Sequence, residues 1–466
     1  MRGAPGGGLR LTWVQPEDLV GHELRQAAQD GRDAEPLLRR WLAAGGRPAP
    51  ARAGASADPA PPELRDLAVR LLAELAALPR PSSPAGPGAV PTGPATAPSA
   101  GRTGAQSAGA RSGGGPGGGL VGRLEAAWTG RAVGCVLGKP VEKLPLEGIR
   151  ALARAAGNWP LDDWFTARGV PPDLLAAYPW NRRSAATSLA ENIDGAPEDD
   201  DLDYPLLNLL LLRRHGRRFT TADVGRLWLD ELPAGRTFTA ERIAYRNLLL
   251  GLEPPATATH QNPFREWIGA LIRADVHGWT NPGDPWAAAK QAGRDAALSH
   301  TGNGLYAARF AAAAIAEAAS GRADVHGALR AGLAVVPPGA RLAEAVRHAI
   351  RAAREERDFD RVVDRLHARY GHYHWVHSVP NTALVAAALT HADGDFTRSV
   401  CRAVSGGWDT DSNGATAGSI AALVAGRVPD RWAAPLRNRL ATTVAGFDGI
   451  GFDTLAQLTA QEAARS

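Results

Sequence analysis

The chain has 466 residues, 44% of them hydrophobic, and a formal net charge of +4 from 52 basic and 48 acidic side chains. That length can bury one large core and carry a smaller module, and the near balance of charge, with no Lys/Arg run along one helix face, gives no footprint for nucleic acid. Only Cys135 and Cys401 are present, which excludes a disulfide framework and a Cys-based metal site, and no run of about 18 apolar residues offers a membrane span.

The opening "MRGAPGGGLRLTWVQPEDL" contains no apolar stretch of signal-peptide length, so we expect a soluble, cytoplasmic protein. Next come "PEDLVGHELRQAAQDGRD", "EPLLRRWLAAG" and "PPELRDLAVRLLAELAAL", whose apolar residues recur three and four apart and predict three amphipathic helices. Residues 1–80 therefore read as a small helical N-terminal module, or as an arm that docks a protein partner. Residues 81–119 are rich in Pro, Gly, Ala and Ser without any apolar stripe; they cannot repay the entropy of ordering and predict a disordered linker.

From residue 120 to 466 almost every periodic segment has the helical period, including "DYPLLNLLLLRRHG", "TAERIAYRNLLLG", "NPFREWIGALIRAD", "GLYAARFAAAAIAEAA" and "NTALVAAALTHADG". Strand-like alternation is scarce. The expected fold is a compact all-α bundle in which Ala and Gly let helices approach closely. Neither GxxxxGK[ST] nor a strand–GxGxxG–helix unit occurs, which argues against a nucleotide triphosphatase or a Rossmann dehydrogenase.

The chemistry-bearing segments also come in chain order. In "GRAVGCVLGKPVE", Gly130, Gly134 and Gly138 recur every four residues, a pattern of tight helix packing, and Glu142 follows the Pro140 break where a loop can aim it into a cleft. Lysine is scarce beside arginine, yet Lys139 and Lys143 both fall in this motif or next to it. "PEDDDLDYPLLNLLLL" packs Glu198, Asp199, Asp200 and Asp201 ahead of an apolar helix. One Asp there would be an ordinary cap, but consecutive carboxylates repel one another, and a bound cation is the simpler account.

"LSHTGNG" places Ser299, His300, Asn303 and Gly304 before an Ala-rich helix as a candidate ligand-binding segment. "HARYGHYHWVHSVPN" holds four histidines, but the spacing fits no zinc pattern, so aromatic packing or substrate contact is expected. Finally "GGWDTDSNGATAGS" begins like a calcium loop, with Asp409, Asp411 and Asn413 in place, yet Ala417 and Ile420 stand where that loop needs ligands. Its carboxylates need partners from elsewhere. The "EDDD" cluster, also at a helix entry, can supply them, and with Ser412 an oxygen-only set favours Mg²⁺ or Mn²⁺, the charge pointing to two ions.

Together these motifs resemble the ADP-ribosylglycohydrolase family over about residues 120–460. "GRAVGCVLGKPVE" resembles its GxxxGDxLGxPxE segment, "EDDD" its TDDT motif, "LSHTGNG" its Ser-His segment and "GGWDTDSN" its GGDTDT motif. The resemblance implies an all-α fold with a binuclear Mg²⁺ or Mn²⁺ centre that holds the ribose diol and orients a water. It implies metal ligation by Asp199, Asp200, Asp409, Asp411 and Ser412, with Glu198 in place of the family's Thr as a further candidate. Glu142 falls where relatives place an acid near the scissile bond, and His300 where they contact the ligand. Cys135 stands where the family has Asp, and Trp408 is inserted before Asp409 as a candidate substrate contact.

The expected function is hydrolysis of a glycosidic bond to ADP-ribose on a protein side chain or a small molecule, with Glu142, Asp200 or Asp411 moving the protons. Two other readings stay open at this point: an inactive ADP-ribose or nucleotide binder, and a Mg²⁺-dependent phosphoester hydrolase.

Overall fold

The structure is a computed structural model, and it describes residues 10–49, 56, 58–79 and 119–465. The linker expected at 81–119 lies outside the described residues except for Gly119. Among the described residues the chain is helical, with β-pairing limited to three isolated bridges.

The three N-terminal helices form where their periodicity places them: α1 (Pro16–Gln29), α2 (Glu35–Ala43) and α3 (Pro62–Ala77), each with Pro in its first turn, where the missing N–H costs nothing. Their apolar faces do not stand alone. Leu19, Val20, Leu71 and Leu75 join the same buried core as the rest of the chain, and His22 packs edge-on against Phe264 and Trp267. Polar contacts fix this docking: Arg265 donates to Glu23 at 2.7 Å and to Asp30 at 2.8 Å, and Gln26 donates to Glu266 at 3.1 Å.

The larger region opens with α4 (Leu120–Gly138), α5 (Leu146–Ala155), α6 (Pro172–Ala177), α7 (Ala185–Ser188) and α8 (Asp200–His215). It continues through α9 (Thr221–Glu231), α10 (Thr239–Leu249), α11 (Ala256–Thr259), α12 (Gly269–Ile272), α13 (Asp275–Trp279) and α14 (Pro285–Ala296). The Ala-rich α15 (Gly302–Ala319) is followed by α16 (Val325–Ala334), α17 (Arg341–Glu355), α18 (Phe359–Tyr370), α19 (Ser378–Ala392) and α20 (Phe396–Ser405). Last come α21 (Thr410–Ala425), α22 (Asp430–Ala433) and α23 (Phe452–Ala464).

Two helices set the position of the site. Helices α4 and α21 cross in the centre with backbones in contact, because glycines face glycines: a Cβ at Gly130 would lie 2.5 Å from the Gly418 carbonyl oxygen, and one at Gly134 would fall on that of Gly414. Gly138 meets the backbone of Thr410 and Asp411 in the same way, and Thr410 Oγ1 donates to the Gly138 carbonyl at 2.7 Å. The "GRAVGCVLGKPVE" end of α4 is thereby pinned beside the "DTDSN" start of α21.

One predicted helix is not continuous. "NPFREWIGALIRAD" forms turns up to Ile268 and is helical only in α12 and at the start of α13. Its large side chains are used for aromatic packing, Phe264 and Trp267 being 4.5 Å apart between centroids and tilted, with Trp267 stacked on His374. Tertiary packing overrides the helical period here.

Candidate metal and substrate site

The two acidic segments meet. Asp199 is the N-cap of α8, its carboxylate accepting from the Asp201 backbone N–H at 3.0 Å. Asp409 is the N-cap of α21, but its side chain makes no capping bond. Capping therefore accounts for one carboxylate of the first cluster, and in the second only Asp411 Oδ1 accepts a first-turn N–H, that of Ser412 at 3.1 Å. Ser412 joins the halves: its Oγ lies 3.0 Å from Asp201 Oδ2 and 3.2 Å from Asp409 Oδ2. Asn381 Oδ1 holds the Asp409 backbone by accepting its N–H at 3.1 Å, and it also accepts from Asn413 Nδ2 at 2.7 Å.

Two sets of ligand atoms result, each within 4.8 Å of one another: Glu142, Asp409 and Asp411 in one, Cys135, Asp199 and Asp201 in the other. Burial pushes Asp409 up to about 7, helped by the Glu142 charge, and burial with Glu142 and Asp409 raises Asp411 well above the carboxylate range. Such destabilised carboxylates in an oxygen-only set fit a hard divalent cation, which would supply the missing countercharge. Asp200 and Asp201 are raised likewise, by burial first and the Asp199 charge second. Asp199 is the exception: burial pushes it up, but the Lys139 ammonium against Asp199 Oδ2 pulls it below its ordinary value.

A cavity of about 470 Å³ opens over these groups, a size suited to a small organic ligand. Glu142, Asp199, Asp200, Asp201, Asp409, Asp411 and Ser412 line it. Glu142 Oε2 accepts from Asn181 Nδ2 at 2.7 Å and its Oε1 pairs with the half-exposed Lys143 at 2.7 Å. Trp13, Phe238, Trp267, His374 and Trp375 add aromatic lining to the same cavity.

Several expected contacts lie elsewhere. Glu198 lines the rim with its carboxylate turned to Arg236 Nη1 at 2.9 Å, away from the metal-capable set, because it precedes the helix. Ser299 and His300 are buried one layer behind the wall: Arg273 joins Glu241, which lines the cavity, to Ser299 Oγ at 2.9 Å, and Ser299 Oγ bonds His300 Nδ1 at 2.8 Å. Asn303 ties Glu266 to the Leu342 N–H, and Gly304 allows close approach to the Arg265 carbonyl. These four residues build the wall and do not line the cavity. Trp408 does not line it either. It takes a left-handed φ of 56° and stacks on His367 at 3.9 Å between centroids, and His367 Nε2 bonds the Gly406 carbonyl at 2.8 Å. The pair anchors the loop that presents Asp409.

The structure adds residues that sequence reasoning did not assign to the site. Asp201 reaches in through Ser412 and is held from behind by Arg131, which also pairs with Asp275 at 2.8 Å. Trp13, from the N-terminal segment, had no motif to mark it. The four-carboxylate run did signal Asp201, but not which members turn inward.

The ADP-ribosylglycohydrolase family model matches residues 119–464. A comparison with curated proteins finds no match. Among solved structures, one titled "ADP-ribosylglycohydrolase-related protein complex" is 20% identical, aligning over 74% of this chain and 99% of that one with a TM-score of 0.43. The family match spans the acidic segments and the helices that carry them, and on that extent the chain belongs to the ADP-ribosylglycohydrolase family.

Proposed function

We propose that the protein is a metal-dependent hydrolase that cleaves the glycosidic bond between ADP-ribose, or a related ribosyl group, and a protein side chain or small molecule. The observation that supports this reading is the Glu142–Asp409–Asp411 set lining a cavity that aromatic side chains also line. Members of the family are metal-dependent, and oxygen donors favour Mg²⁺ or Mn²⁺. Glu142, Asp409 and Asp411 would hold an ion, with Asp200, Asp201 and Ser412 facing it. When bound, the ion supplies charge stabilisation and a fixed point for the ribose diol and a water.

The chain's own groups then account for the proton movements. Cleavage at the anomeric carbon passes through an oxocarbenium-like state, so it needs an acceptor for the water proton and a donor for the leaving group. Glu142, oriented by Asn181 and lining the cavity, is placed to accept the proton. Asp200 lines the same cavity, from which it would carry a proton to the leaving atom. The aromatic wall would bind the planar part of the ligand and exclude water from the reacting end.

The test is release of ADP-ribose from an ADP-ribosylated protein with Mg²⁺ or Mn²⁺ present, compared with Asp411→Asn and Glu142→Gln. Unchanged turnover in both variants would show that these carboxylates are not the reacting ones.

A further inference from the structure

The two halves of the acidic site are not equivalent. On one side, Lys139 comes directly after α4, and its ammonium rests on Asp199 Oδ2 with the Glu198 carbonyl oxygen 3.4 Å away. Its side chain is only 10% exposed, and the close contact of α4 with α21 through Gly138 fixes the backbone from which it extends. The remaining donors of that half are also engaged or unsuited. Asp201 Oδ1 pairs with Arg131 Nη2 at 3.2 Å and Asp201 Oδ2 accepts from Ser412, while the third member, Cys135, offers sulfur, a poor ligand for the hard ions that oxygen sets select.

On the other side, among the described residues, no Lys, Arg or His pairs with Asp409 or Asp411; the nearby cation is Lys143, which pairs with Glu142 and is 53% exposed. An exposed lysine can leave when a cation arrives, whereas a buried ammonium seated between oxygens already does what a cation would do.

We propose that Lys139 occupies the place of one metal ion, so that the chain binds a single divalent cation on the Glu142–Asp409–Asp411 side. This rests on the metal-dependent reading above, and it changes the centre from a pair of ions to one ion beside a fixed ammonium. Asp199 is then the partner of Lys139 and not a metal ligand. A positive charge that cannot exchange holds the first acidic segment in shape before any metal binds, and the single exchangeable ion carries the water.

The experiment is Mn²⁺ binding to the full chain, with stoichiometry from equilibrium dialysis and the electron paramagnetic resonance spectrum of the bound ion. The expected result is one Mn²⁺ per chain with the spectrum of an isolated ion. Asp199→Asn should keep that ion, while Asp409→Asn should weaken it by about tenfold or more, both variants being checked for native circular dichroism. Lys139→Met, which keeps the length of the stem and frees Asp199 Oδ2, should add a second, weaker Mn²⁺ site, because Asp201 stays engaged by Arg131 and Ser412.

Two ions in the unaltered protein, or loss of the single ion in Asp199→Asn, would overturn the inference. No Mn²⁺ at all would overturn both it and the metal-dependent reading. ADP-ribose release with two bound ions leaves the function standing and the inference refuted; one bound ion without release does the reverse.

Discussion

Ser412 Oγ lies 3.0 Å from Asp201 Oδ2, linking α21 to α8 across more than two hundred residues of sequence. With its second contact to Asp409 at 3.2 Å, this hydroxyl makes one site of two helix starts. Ser412→Ala removes both contacts and leaves Asp201 Oδ2 and Asp409 Oδ2 without the hydroxyl donor they share, while Asp201 Oδ1 keeps Arg131. Catalysis should fall by about tenfold to a hundredfold with a smaller change in melting temperature, which steady-state assays beside calorimetry would separate.

Asp409 sets the pH response. Its folded-state value of about 7 lies above its ordinary 3.8 because of burial and the Glu142 charge. A carboxyl raised on folding favours the folded state at low pH, and that contribution fades as pH rises from about 4 through 7 in the metal-free protein. A divalent cation competes with the proton, so Mn²⁺ affinity should climb from about pH 5 through 7 as Asp409 ionises and go on rising above while Asp411, also raised, gives up its proton. Titrations at several pH values check this; a flat affinity would mean that Asp409 is not a ligand.

The contact between α4 and α21 leaves no room for a methyl group at Gly134. Its obstacle is backbone, which cannot rotate away as a side chain can. Gly134→Ala should destabilise the fold by about 3 kcal/mol and displace Glu142 from Asp411, lowering melting temperature and activity together. Gly122→Ala, where an added Cβ meets nothing within 4 Å, is the control and should leave both unchanged.

Trp13 packs edge-on against Phe264 at 5.6 Å and lines the cavity although it lies outside the residues the family model matches. If it contacts ligand, Trp13→Ala raises KM more than it lowers kcat, while Trp13→Phe retains most of the affinity. Equal effects of the two substitutions on stability alone would assign Trp13 to packing.

The helical fold was legible because long stretches such as "GLYAARFAAAAIAEAA" keep one period throughout, and α15 runs from Gly302 to Ala319. "NPFREWIGALIRAD" misled because Phe264 and Trp267 pack with residues from the distant segments around His22 and His374, and no local period records such partners. The acidic clusters were legible from charge: repulsion among consecutive carboxylates implies a countercharge. Their orientation was not. Glu198 lies one residue before the N-cap and turns to Arg236, while Asp201 lies within the helix and turns inward. The Ser-His segment was marked by residue type, but its burial behind Glu241 and Arg273 depends on the neighbouring helices.

The most direct measurement is to incubate the purified protein with Mg²⁺ or Mn²⁺ and a panel of ADP-ribosylated proteins and small ribosides, identifying products by mass. The expected products are free ADP-ribose or the matching ribosyl sugar and an intact acceptor, with release abolished by chelation and by Asp411→Asn. Phosphate release without glycosidic cleavage, or tight ADP-ribose binding with no turnover on any member of the panel, would contradict it.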